Sequence, residues 1–190
     1  LECHRSTISG GKYGIYQFHS PVCVLDQTDV TGTSSWGVVL NNAQAASQRV
    51  TVTDCRINAC GGGVSAKMPH DAELSMISTS IADNRSHGVH SWRATARLTK
   101  TNIVRNGGYG VLHYDGELDV SESTVQHNRR FGLLVYGYQN PVAARMLARR
   151  NRVIGNGGGV YAFRVDRATV VNNISARNRT YGVAVNVNGQ

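Results

Sequence analysis

Between residues 90 and 164 the chain repeats a small set of reactive side chains. His90, Trp92 and Arg93 stand together, Tyr114 and Asp115 follow, then Tyr136 and Tyr138, then Tyr161, Phe163 and Arg164. An imidazole or a phenol can take or give a proton, and a guanidinium can grip a carboxylate through two parallel hydrogen bonds. Aromatic rings add flat apolar faces for stacking. Arg93 or Arg164 could therefore hold an anion, and His90, Tyr114 or Tyr136 could move protons. Trp92, Asp115, Tyr138, Tyr161 and Phe163 would line the site, with Arg129 and Arg130 as further anion contacts.

Such a site needs elements that bring residues about 22 positions apart side by side, and the glycines show how. A glycine followed by an aliphatic residue recurs as Gly14-Ile15, Gly37-Val38, Gly63-Val64, Gly88-Val89, Gly110-Val111, Gly132-Leu133, Gly159-Val160 and Gly182-Val183. Asn84, Asn106, Asn128, Asn156 and Asn178 precede five of these glycines at a near-constant offset. Upstream, one apolar slot holds Cys3, Leu25, Val52, Met76, Leu98, Val120, Ala148 and Val170. A second, five residues later, holds Ile8, Val30, Ile57, Ile81, Ile103, Val125 and Val153, with Ser175 as the exception. Two residues before the second slot runs a small polar column that includes Thr79, Thr101, Ser123 and Asn151. Apolar and polar residues alternate over short stretches, as in Ala96-x-Leu98, which is the period of a strand. Units this short, punctuated by Gly and Asn that tolerate left-handed backbone angles, describe coils of an all-β parallel solenoid. Equivalent residues of successive coils then stack into columns about 4.8 Å apart.

The remaining arithmetic bounds the class. A chain of 190 residues predicts one domain over 1–190. With 20 Lys and Arg against 12 Asp and Glu the net charge is +8, which favours a polyanionic partner. No apolar run is long enough for a membrane-spanning helix. None of the dedicated nucleic-acid motifs is present. Cys3, Cys23, Cys55 and Cys60 contain no C-x-x-C pair and no nearby histidine at metal-ligand spacing, so no metal is expected. Cys55 and Cys60 read as small buried members of the polar and Asn columns.

Segments such as TNIVRNGGYGVLHYDG and STVQHNRRFGLLVYG carry a family resemblance. The chain resembles, over all 190 residues, the right-handed parallel β-helix repeats of the pectate-lyase-like superfamily. That superfamily includes pectate and alginate lyases, mannuronan C5-epimerases, phage tailspikes and non-catalytic carbohydrate-associated β-helices. The resemblance implies about eight coils of three short strands each, an acidic polysaccharide as partner and an extracellular, periplasmic or cell-surface location. For an enzyme it implies β-elimination or C5-epimerisation of a uronate. The Asp-rich calcium sites of pectate lyases are not evident, and no cofactor is expected. In the epimerases an apolar residue followed by Asp-Pro-His comes after the equivalent Tyr-Gly, putting Asp and His two and four positions after the glycine. Here Tyr109-Gly110 is followed by Val111-Leu112-His113-Tyr114.

Alternation places Tyr16, Val39, Ser65, His90, Leu112, Leu134, Tyr161 and Ala184 outward, two residues after each glycine. Four residues after the glycines, Trp92, Tyr114, Tyr136 and Phe163 form an aromatic stack across coils 4 to 7. The stack reads equally as a structural ladder and as a sugar-binding platform. Extra residues in NNAQAASQ, KMPHDAE and GYQNPVAAR would wall a groove with coils 4 to 6 as its floor. Arg85, Arg105, Arg129, Arg177 and Arg179 flank the Asn column, and Arg149, Arg150 and Arg152 are expected to thicken the same bend. The competing reading is a non-catalytic scaffold whose apolar strip through Leu112, Leu134 and Tyr161 packs on another chain or domain. Because Leu1 and Cys3 already occupy strand slots, the segment is expected to belong to a longer polypeptide or to pair end-on with another chain.

Overall fold

A computed structural model describes residues 1–41, 48–138 and 144–187. Every regular element among them is a strand, and the strands form three parallel eight-stranded sheets. Sheet A holds the first strand of each coil, such as Thr95–Thr99, sheet B the second, such as Asn102–Val104, and sheet C the third, such as Val111–Tyr114. Each strand pairs in parallel with its counterpart one coil on: Met76 faces Val52 and Leu98, Ile81 faces Ile57 and Ile103, and Val111 faces Val89 and Leu133. The chain is thus a solenoid of eight coils.

The two apolar slots supply the core. Leu25, Val52, Met76, Leu98 and Val120 from sheet A meet Val30, Ile57, Ile81, Ile103 and Val125 from sheet B, all essentially without solvent contact. β-branched residues dominate the sheet B column, where a pleated and fully buried strand favours them. Ser175 is tied down by polar contacts instead: its hydroxyl donates to the Gly182 carbonyl at 2.6 Å and accepts from Asn178 Nδ2 at 3.1 Å.

The glycine signature has a different cause from the expected one. None of the eight repeat glycines lies in the left-handed region. Gly110 is required by lack of space, since a Cβ there would sit 2.5 Å from the Gly132 carbonyl oxygen and 2.7 Å from Val125 Cγ1. The left-handed residues are the bend residues, most of which carry side chains. Arg5, Gln27, Asp54, Ser78, Lys100, Glu122, Arg150 and Asn172 turn the chain from sheet A to sheet B, all with φ between 47 and 55°. Ala59, Asp83, Arg105, His127 and Arg177 do so from sheet B to sheet C, with Gly10, Gly32 and Gly155 in the same column. An L residue there is strained by about 1–2 kcal/mol. The geometry persists because the bend N–H groups continue the inter-coil ladder, as in Arg105 N–H to the Gln126 carbonyl at 3.0 Å.

The Asn column is internal. Nδ2 of Asn84, Asn106, Asn128 and Asn156 donates to Oδ1 of the next Asn at 2.9–3.2 Å. The backbone N–H of each also donates to that same oxygen. These side chains satisfy bend groups that would otherwise be buried and unpaired. Thr101, Ser123, Asn151 and Asn173 build a second ladder at the other bend. Cys55 and Cys60 occupy the two ladders as small buried residues, and all four cysteines are free thiols. Burial pushes the Cys23 thiol up to about 11.

Candidate functional site

The outer surface of sheet C carries the candidate site. Its strands pass through a paired inward step at each repeat glycine and the aliphatic residue after it. The residues one before, two after and four after the glycine therefore all face outward, giving three columns.

The outermost column is the aromatic stack expected from sequence. Trp92, Tyr114, Tyr136 and Phe163 are in register across coils 4 to 7. Their ring centroids are 4.8, 5.8 and 5.4 Å apart. Tyr138 is half exposed and leans its ring on Trp92, Tyr114 and Tyr136. The middle column holds His90, Leu112, Leu134 and Tyr161. Leu112 is covered by its neighbours to 4% exposure, which breaks the apolar strip drawn through Leu112, Leu134 and Tyr161.

Sequence reading missed the third column, directly before the glycines. It places Trp36, His87, Tyr109, Phe131 and Tyr181 on the same face. His87 packs on Tyr109 at 5.2 Å, Tyr109 stacks over Phe131 at 6.4 Å, and Phe131 contacts Tyr161 at 5.1 Å. The signal was available, because six of the eight residues preceding the repeat glycines are aromatic or histidine. Gly62 and Gly158 fill the other two places because rings lie over them: a Cβ would meet the Trp36 ring at 2.5 Å or the Phe131 ring at 2.4 Å.

Electrostatically this face is quiet at its centre and basic at its rims. His87 is held down to about 4, chiefly by burial, with His90 and Arg130 adding to the effect. Its Nδ1 accepts the Tyr109 backbone N–H at 3.1 Å. Burial lowers His90 as well, and its Nε2 is enclosed with no hydrogen-bond partner among the described residues. Both imidazoles are neutral at neutral pH. Burial, followed by the surrounding Tyr109, Tyr136 and Tyr138, raises the Tyr114 phenol, so it stays protonated. On one rim Arg130 lies over the Tyr109 ring, 5.4 Å from its centroid, with Nη1 donating to the Tyr109 hydroxyl at 3.4 Å. Arg129 is exposed beside it. On the other rim Arg93 and Arg164 are exposed bend residues with φ of 67 and 53°. At about 3.3 Å per residue the rims stand roughly 20 Å apart.

Two expectations change. Asp115 is not on the floor: it is 1% exposed, and its Oδ1 accepts the Tyr138 backbone N–H at 2.8 Å, so it shapes the bend. Arg149, Arg150 and Arg152 do not thicken the bend of Arg129, Arg177 and Arg179. They lie at the corner between sheets A and B, across sheet B from it. Of the three wall segments, residues 42–47 and 139–143 lie outside the described residues. The segment between Lys67 and Glu73 is folded onto the core, with Met68 and Ala72 buried and Ala72 N–H donating to the Pro69 carbonyl at 3.2 Å.

No group of three or more metal-ligating side chains occurs among the described residues. The comparisons agree with the geometry. The family model described as "Right handed beta helix region" matches residues 1–144, and the chain belongs to that family. Among solved structures, the "Mannuronan C-5 epimerase AlgE4 A-module" of Azotobacter vinelandii is similar over the whole chain and 58% of its own length, at a TM-score of 0.68 and 13% identity. The chain therefore spans little more than half of that relative, and the likeness is one of fold. No curated protein matches.

Proposed function

We propose that the outer face of sheet C binds an acidic polysaccharide. The observation that carries this reading is the ring stack of Trp92, Tyr114, Tyr136 and Phe163 on the outside of four successive coils. Buried rings would need no partner, but these are partly exposed, broad enough for pyranose faces and edged by tyrosine hydroxyls. Arg130 on one rim and Arg93 and Arg164 on the other are placed to meet carboxylates that project from a chain lying on the rings. The similarity to a mannuronan epimerase supports a uronate polymer as the first to try.

Processing by β-elimination or C5-epimerisation has narrower support. Neutral His90 is in the protonation state of a base and protonated Tyr114 in that of an acid, but the His90 Nε2 is enclosed. The outward positions two and four after Gly110 hold Leu112 and Tyr114, where the resemblance would ask for Asp and His. Binding is therefore the conclusion. Titration with polymannuronate and polygalacturonate oligomers should change Trp92 fluorescence, and Trp92→Ala with Tyr114→Ala should weaken binding at least tenfold while the fold persists. No binding of any acidic oligomer by the folded chain would refute the reading. Unsaturated products or C5 proton exchange would extend it to catalysis.

A further inference from the structure

The charge of this protein is distributed very unevenly along the stack. Residues 144–187, which form coils 7 and 8, hold eight arginines and no lysine against the single acid Asp166, so seven of the eight surplus charges reside there. The first six coils are nearly balanced. Arg145 pairs with Asp166 at 3.1 Å and Arg149 with Asp119 at 3.1 Å. Arg150, Arg152, Arg177 and Arg179 are all exposed and make no ion pair among the described residues. The nearest acid in their columns is Glu122, one coil before Arg150.

These four lie on one side of the molecule. Arg150 turns the chain from sheet A to sheet B, Arg152 opens the Arg152–Ile154 strand, and Arg177 and Arg179 follow the Ile174–Ala176 strand at the far corner. Arg152 pairs with Ile174, so Arg177 lies one coil on and three residues along, roughly 10 Å away at the spacings of a sheet. Over coils 2 to 6 the outward positions of sheet B are mostly uncharged: Thr31, Asn58, Ser80, Ala82, Asn102, Val104, Thr124 and Gln126 occupy them, with Asp29 and Arg56 as a loose pair. The basic band is thus local: it starts at the corner between sheets A and B, crosses sheet B and ends at the corner shared with sheet C, where Arg179 stands two coils on from Arg129.

We propose that Arg150, Arg152, Arg177 and Arg179 form a second anion-binding surface, across sheet B of coils 7 and 8, for a stretch of acidic polysaccharide. The choice of polymer rests on the reading of sheet C above; the existence of the surface does not. Arginine favours planar carboxylates, which it can hold through two hydrogen bonds. Between these guanidiniums lie Ile154, Ile174 and Ala176 and no aromatic ring. A single-stranded nucleic acid would need rings for base stacking, and a duplex would need an element that enters a groove, which three-residue strands flush with the surface do not provide. A polymer that presents regular charges on saturated rings needs only the guanidinium row. Binding by charge alone releases counterions, and with four contacts the affinity should fall by up to about 50-fold between 50 and 200 mM salt.

The test is fluorescence anisotropy of an end-labelled polymannuronate dodecamer on the full chain at both salt concentrations. Replacing Arg150, Arg152, Arg177 and Arg179 by Gln should weaken binding at least tenfold at 50 mM salt and flatten the salt dependence, with circular dichroism unchanged. A control with Arg5, Arg49, Arg56 and Lys100 replaced by Gln removes the same formal charge and should change affinity less than threefold. Equal loss in both variants would overturn the proposal, because net charge rather than position would then be responsible. Tighter binding of single-stranded DNA of equal charge, lost in the first variant, would overturn the choice of partner. The two readings fail separately. If the four-arginine variant binds normally while Trp92→Ala with Tyr114→Ala does not, the sheet B surface is refuted and the sheet C reading stands. The reverse pattern refutes sheet C and keeps sheet B.

Discussion

His113 offers the sharpest quantitative test of the structure. It follows Leu112 on a sheet C strand, points into the solenoid and is fully buried. Its Nδ1 shares a 2.7 Å hydrogen bond with the Ser91 hydroxyl one coil earlier, and Nε2 has no partner among the described residues. Burial is the main cause that holds this imidazole down to about 4, and nearby His90 adds to it; the Asp115 carboxylate and the backbone of Asp115 and Gly116 pull the other way. The folded chain therefore refuses a proton that the unfolded chain accepts near pH 6.5. Stability from this group is complete above pH 6.5, declines as pH falls, and levels off below pH 4. Between pH 7.0 and 4.5 the linkage relation makes the loss on the order of 2 kcal/mol. Carboxylates also titrate there, so the contribution is read as a difference. Urea unfolding of the wild type and of Ser91→Ala with His113→Leu, at both pH values, should show the variant losing about 2 kcal/mol less on acidification. The paired replacement leaves neither hydrogen-bonding partner orphaned, and Leu40 and Val135 show that aliphatic residues fit this column. If the two proteins lose stability equally, within about 0.5 kcal/mol, His113 is not held neutral in the core and the argument fails.

Further outcomes follow from the columns. Gly110→Ala should destabilise the chain by about 2–3 kcal/mol by thermal or urea unfolding, because its Cβ would meet the next coil's backbone rather than a flexible side chain. Asn128→Ala removes the acceptor of both the Asn106 backbone N–H and Asn106 Nδ2, and the donor to the Ile103 carbonyl at 3.1 Å. Its cost should be about 3 kcal/mol or more, and a loss under 1 kcal/mol would count against an internal ladder. Thiol labelling of the native protein should modify Cys3 well before Cys23, Cys55 or Cys60, since only Cys3 is partly exposed and burial raises Cys23. Labelling of all four at one rate would contradict the burial described.

The fold was legible because one coil is one repeat. A column such as Val52, Met76, Leu98 and Val120 is written in the chain at nearly constant spacing, and stacking only converts that spacing into contact. The physical reason for the glycines was not legible, since a residue that relieves crowding and one that permits a left-handed angle look the same in a sequence. The left-handed bends are held by residues as unlike as Asp83, Arg105 and His127, whose identity says nothing about their backbone. The site was half legible for a related reason. Strict alternation finds Trp92 and His90, but the double inward step at Gly88-Val89 also brings His87 outward, and a period of two cannot foresee it.

Charge is where periodicity misleads most. Arg129, Arg149, Arg150, Arg152, Arg177 and Arg179 seem to share one bend when they are placed relative to the nearest Asn, because Asn151 and Asn156 belong to different ladders and only the fold tells them apart. In space the two groups are separated by sheet B. The aromatic surface keeps its histidines neutral and its floor uncharged, whereas Arg150, Arg152, Arg177 and Arg179, with no ion pair among the described residues, gather around coils 7 and 8. A partner held on the rings should respond strongly to loss of Trp92, and one held by the guanidinium row should not. The +8 of the whole chain, taken alone, predicts only the second behaviour.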